Sequence, residues 1–155
     1  MEFKVSGRIR TEDQGHRIIF GDNERRYQLW EKPGKDPGSH EFRLRLSGRT
    51  LVDFKTKEAT DTTIQDTFIN ALGKACDALR EEKEKINSKY DQGEVTQTDL
   101  TNRSDIQDAI FSCVIVENTL KKDRERGLDS MEKDWAKDFS DAVNEMSDKD
   151  PAPEQ

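Results

Sequence analysis

Reactive side chains are scarce in this chain: two cysteines, two histidines and two tryptophans among 155 residues. Neither Cys76 nor Cys113 has the close ligand spacing of a structural zinc site, and both fall on apolar helical faces, as buried reduced thiols do. No nucleophile-elbow glycine pattern, no phosphate-cradling glycine loop before a lysine and no helical His-Glu pair for zinc occurs. His40 stands beside Ser39 without a third group in sequence to orient the pair, and His16 lies on the apolar side of a strand. Calcium-loop spacing is missing as well. These absences point away from an enzyme, a metalloprotein or a cofactor carrier.

Apolar residues are also sparse. They make up 31% of the chain against 38% charged residues, so the core must be lean and long faces must stay wet. No run is apolar or long enough to span a bilayer, and Met1-Glu2-Phe3-Lys4 does not open a signal peptide. The expected setting is cytoplasmic, with no membrane partner.

What is present is strongly periodic, which argues that most of the chain folds. Phe3, Val5 and Ile9 alternate with Lys4, Ser6, Arg8 and Arg10, the period-two pattern of a half-buried strand. A four-residue turn at Glu12-Asp13-Gln14-Gly15 sets Ile9 opposite Ile18 and Gly7 opposite Phe20. A two-residue turn at Asp22-Asn23 then pairs Ile18 with Tyr27 and His16 with Leu29. Beyond a Pro/Gly loop from Glu31 to Ser39, Leu44 faces Val52 and Phe42 faces Phe54, while the other side pairs Arg43 with Asp53 and Glu41 with Lys55. Apolar pairs on one face and opposite charges on the other define that register from both sides.

The stretch Thr62–Tyr90 places Ile64, Phe68, Leu72, Ala75, Cys76, Leu79, Ile86 and Tyr90 on one helical face, with Thr62 and Gln65 as a capping box. A second helix is expected from Ser104, apolar nearly all round from Ala109 to Val116, ending at Gly127. A third is expected from Asp129 to Met146, capped by Asp129 and Glu132, with Met131, Trp135, Phe139, Val143 and Met146 as its stripe. The expected fold is therefore α+β: an antiparallel meander of about five strands, then three helices, the first long and packed on the sheet's apolar face. Residues 1–146 form a single domain, and the tail 147–155 is expected to be disordered.

Charge divides the same way. Through Lys57 there are 13 Lys and Arg against 9 Asp and Glu, while the helical part from 61 onward belongs to a remainder with 13 against 24. The basic sheet points Arg8, Arg10, Arg17, Arg26, Arg43 and Arg45 to solvent around Trp30. Cations around an aromatic on a sheet are how single-stranded nucleic acid, or another polyanion, is commonly held. The alternative surface is acidic: Glu81, Glu82, Glu84, Asp134, Asp138, Asp141 and Glu145 on the helices suit an inhibitor or adaptor that meets a basic protein by mimicking nucleic acid. A homo-oligomeric scaffold, paired through the helices, is the third reading. Each is a binding protein acting by macromolecular contact.

Overall fold

The computed structural model describes residues 4–22 and 24–132. Five strands, β1 (Lys4–Glu12), β2 (Gly15–Gly21), β3 (Arg26–Pro33), β4 (Ser39–Leu46) and β5 (Arg49–Lys57), form one sheet in the order of the chain, each antiparallel to the last. Two helices follow, α1 (Ile64–Asp91) and α2 (Gln97–Glu125). They pack against each other, α1 also reaching β5 and α2 reaching β2.

The inner face of the sheet is apolar because alternate residues of every strand are. Ile18, Phe20, Tyr27, Leu29, Phe42 and Leu44 are all buried, and Phe20 stacks on Tyr27 with ring centroids 5.5 Å apart. Phe68 of α1 meets Phe42 edge-on at 5.4 Å, and Phe54 stacks on the same ring. Each such side chain taken from water contributes roughly 1.5–3 kcal/mol.

The β4–β5 register is the expected one, with Phe42 opposite Phe54, Leu44 opposite Val52 and Arg43 opposite Asp53. Two others differ. The β2–β3 loop holds four residues rather than two, so Ile18 faces Leu29, Phe20 faces Tyr27 and His16 faces Glu31. Asp22 makes the longer loop: its carboxylate accepts from the backbone N–H groups of Glu24 (2.8 Å) and Arg25 (2.9 Å). Those bonds hold its pKa below the usual carboxylate value. Because the slip is two residues, the faces are preserved. In β1 the register shifts between Ser6 and Arg10, so Val5 rather than Gly7 lies opposite Phe20.

The helices depart from expectation more. Thr63, not Thr62, caps α1, accepting from the N–H of Asp66. Gln65 turns inward instead, donating to the carbonyl of Leu128 and to Ser130 Oγ. Thr96 and Asp99 form a capping box that starts α2 seven residues earlier than Ser104. Tyr90, Phe111 and Val114, expected in the core, are 63%, 63% and 37% exposed. Gly127 (φ +76°) closes α2 in the left-handed conformation that glycine tolerates best.

Two helices, not three, follow the sheet among the described residues. Asp129–Glu132, the expected start of the third, is not helical: Ser130 is left-handed (φ +60°) and Met131 makes an isolated parallel bridge with Ile9. The N–H of Ile9 donates to Ser130 O (2.8 Å), and that of Glu132 donates to Ile9 O (2.9 Å). Asp123 explains the placement: this buried carboxylate of α2 is satisfied by Ser130 Oγ (2.9 Å) and by Arg8. The rest of the expected helix, with Trp135, Phe139, Val143 and Met146, lies outside the described residues.

Tyr27 links sheet to helix, its hydroxyl donating to Asp108 of α2. Burial, and then the bond to Asp108, push its pKa well above the ordinary 10.0. A raised folded-state pKa means the protonated form is favoured in the native state, so that contribution is complete below pH 10 and is lost as pH rises beyond it. Tyr27→Phe should therefore be less stable than the natural chain by about 1 kcal/mol near neutrality. Above pH 10 the difference should shrink, read as urea midpoints across the pH series; a constant gap would contradict this.

Candidate functional site

Alternation sends the other half of every strand outward. Cross-strand pairing sets Arg10 beside Arg17, Arg17 beside Trp30, Trp30 beside Arg43 and Arg43 beside Asp53, one row across all five strands. At roughly 4.8 Å per strand the row runs about 19 Å. Gln28 and Arg45 neighbour it on one side, and Lys32, Glu41 and Lys55 on the other. A groove of about 690 Å³ follows this surface, lined by Trp30, Arg43, Arg45, Asp53 and Lys55, with Glu12 and Lys32 among its other walls.

Arg17 lies over the Trp30 ring, its guanidinium carbon 4.6 Å from the centroid. The indole Nε1–H donates to Gln28 Oε1 at 2.9 Å, which fixes the ring's orientation. The face is not a bare cationic patch. Arg17 pairs with Glu12 (2.8 Å), Arg43 with Asp53 (2.9 Å), Lys32 with Glu41 (3.9 Å) and Arg10 with Glu132 (2.8 Å). Arg45 donates through Nη2 to Gly48 O. Yet Nε of Arg17 and Nε of Arg45 are buried without an acceptor. A buried donor left unpaired costs about 1–3 kcal/mol.

Of the residues expected here, Arg10, Arg17, Trp30, Arg43 and Arg45 do share the outer face. Arg26 is exposed on the same strand parity as Trp30, at the loop end of β3. Arg8 does not join them: past the irregularity in β1 it bonds Asp123 of α2. On the alternative acidic surface, Glu81 and Glu84 are exposed on α1, while Glu82 pairs with Lys85 at 3.0 Å. Asp134, Asp138, Asp141 and Glu145 lie outside the described residues.

The inner face holds a cluster that the pattern did not reveal. Glu31, its side chain 1% exposed, lies between two imidazoles, with His16 Nδ1 2.7 Å from Oε1 and His40 Nδ1 2.7 Å from Oε2. An ionised carboxylate only accepts, so each ring presents Nδ1–H to it. Gly15 lets β2 approach, since a Cβ there would lie 1.9 Å from the carbonyl oxygen of Glu31. In the expected register Leu29 occupied this place. The available signal was parity: Glu31 continues the inward series Tyr27, Leu29, so a carboxylate stood on the apolar side of β3 and needed a partner. Glu31 supplies the orienting group that His40 lacks in sequence, yet Ser39 Oγ donates to Asp36 O instead of the imidazole. The arrangement ties three strands together and offers no nucleophile–base pair. Among the described residues no set of three side chains is placed to hold a metal ion, and no helix is long and apolar enough to cross a membrane.

Comparison with family models, with curated proteins and with solved structures finds no match to this chain.

Removing Glu31 should be costly because two donors lose a buried acceptor. Glu31→Ala is expected to destabilise by about 3–5 kcal/mol, while Glu41→Ala, on the exposed face of the neighbouring strand, should cost less than about 1 kcal/mol. Urea unfolding at neutral pH measures both. Equal effects would show that the cluster contributes no more than a surface pair.

Proposed function

We propose that this protein is a non-catalytic binding protein that holds single-stranded nucleic acid along the outer face of its sheet. The observation that carries the reading is the Arg17–Trp30 stack standing at a groove lined by Trp30, Arg43, Arg45 and Lys55. Phosphate oxygens meet the guanidinium groups of Arg43 and Arg45, with Lys55 adding charge along the same groove. The Arg17–Trp30 stack offers a flat surface on which a base lays its ring, a mode that tolerates any sequence.

The ion pairs across this face shape how binding works. Arg43 already holds Asp53 and Lys32 already holds Glu41, and the chain as a whole carries −7. Long-range attraction of a polyanion is therefore weak, and affinity depends on local geometry. The buried free thiols of Cys76 and Cys113 support a reducing, cytoplasmic setting.

Fluorescence anisotropy of a labelled oligothymidine tests the reading. The logarithm of the association constant should fall linearly with the logarithm of salt concentration, with a slope near −0.7 for each phosphate neutralised. Trp30→Ala should weaken binding by about 1–3 kcal/mol. The double change Arg43→Glu with Arg45→Glu should abolish it, while Glu81→Lys with Glu84→Lys should leave it intact or improve it. An absence of binding at low salt would overturn the proposal. Capture of a basic protein through Glu81 and Glu84 would favour the acidic surface instead.

A further inference from the structure

We propose that Cys76 is a thiol-exchange site for small disulfides of the glutathione class, and that it passes the bond on to Cys113, locking α1 to α2. The two residues lie in the core between α1 and α2, which pack against each other, and Ala75 and Ala109 beside them are buried as well. Cys76 Sγ is 3.8 Å from the carbonyl oxygen of Ile110, three residues before Cys113 on the same helix.

The thiols are not equivalent. Cys113 is fully buried, whereas Cys76, 3% exposed, borders a groove of about 640 Å³ that runs between the helices. Lys57, Lys74, Arg80 and Lys121 stand around that groove, together with Asp77, Glu117 and Glu58, the last accepting from Asn70 Nδ2 at 3.1 Å. Arg80 leans to Asp77 at 3.5 Å and Lys121 holds Glu117 at 2.9 Å, so Lys57 and Lys74 are the cations best placed to meet the carboxylates of an anionic thiol peptide. The hydrogen bond from the Cys113 thiol pulls the Cys76 pKa down, aided by Arg80, against burial. The same bond, and then burial, push Cys113 up. Cys76, which borders the groove, is the attacking sulfur, and Cys113, enclosed behind it, the resolving one.

The chemistry balances in two exchanges. The Cys76 thiolate attacks one sulfur of the small disulfide, forming a mixed disulfide and releasing one small thiolate. Cys113 then gives up its proton and attacks Cys76 Sγ, which forms the Cys76–Cys113 bond and releases the second small thiolate. Both protons end on the released thiols; the protein dithiol is oxidised and the small disulfide reduced.

The test is native incubation of the full chain with oxidised glutathione, an acid quench and intact-mass measurement. The natural chain should lose two hydrogens and gain no adduct, and its urea midpoint should rise. Cys113→Ser should stop with one glutathionyl group attached, and Cys76→Ser should take up none in the folded state. An unmodified natural chain would overturn the proposal. So would Cys76→Ser modified on Cys113 without denaturant, an oxidised product linked between chains, or an oxidised chain no harder to unfold than the reduced one.

Discussion

Successive side chains of a strand leave on opposite faces, so in this protein one set of registers decides two surfaces together. The same alternation that turns Ile18, Leu29, Phe42 and Val52 toward the helices turns Arg17, Trp30, Arg43 and Asp53 away from them. A one-residue slip anywhere in the meander would place guanidinium groups in the core and isoleucine in water. The outer row and the hydrophobic core are therefore one constraint, and the core, with more at stake energetically, enforces the row.

The helices supply the other half of that enforcement. Arg25 of the β2–β3 loop and Arg49 at the start of β5 both bond Asp105 of α2, and Tyr27 reaches Asp108 one turn on. At the far end Asp123 gathers Arg8 and Ser130, and Ser130 in turn meets Gln65 of α1 and the backbone of Ile9. Three carboxylates of one helix thus anchor the basic strands. That use accounts for part of the charge division along the chain: some of the sheet's excess cations serve the fold, while Lys32, Arg43, Arg45 and Lys55 line the groove on the outer face.

How much could be read beforehand follows from how many independent signals bear on each feature. The β4–β5 pairing from Glu41 to Leu44 was legible because apolar pairs and opposite charges both specify it, whereas the bulge between Leu44 and Arg45, which sets Leu46 opposite Arg49, leaves no such trace. Only the apolar face specifies β2–β3, and it accepts a shift of two residues without complaint; the choice fell to the Asp22 carboxylate, whose bonds within the loop leave no periodic trace. Glu31 and its histidines were missed for that reason. Arg8 was misplaced because an irregularity in β1 interrupts strict alternation. Of the third helix, the expected cap was taken up by pairing with β1, since Asp123 needed Ser130 and Ile9 needed a backbone partner. The apolar run Ala109–Val116 overstated the burial of α2, for a helix hydrophobic all round needs neighbours on every side, and Phe111 stays 63% exposed among the described residues.

The account stands or falls on whether the outer row meets the ligand. A titration of uniformly ¹⁵N-labelled protein with unlabelled oligothymidine, followed by amide and indole N–H resonances, observes that directly. The account predicts movement of the Trp30 indole signal and of the amides of Arg17, Arg43 and Arg45, with Glu81–Lys85 on α1 unmoved. Shifts gathered on α1 while the Trp30 indole stays in place would contradict it.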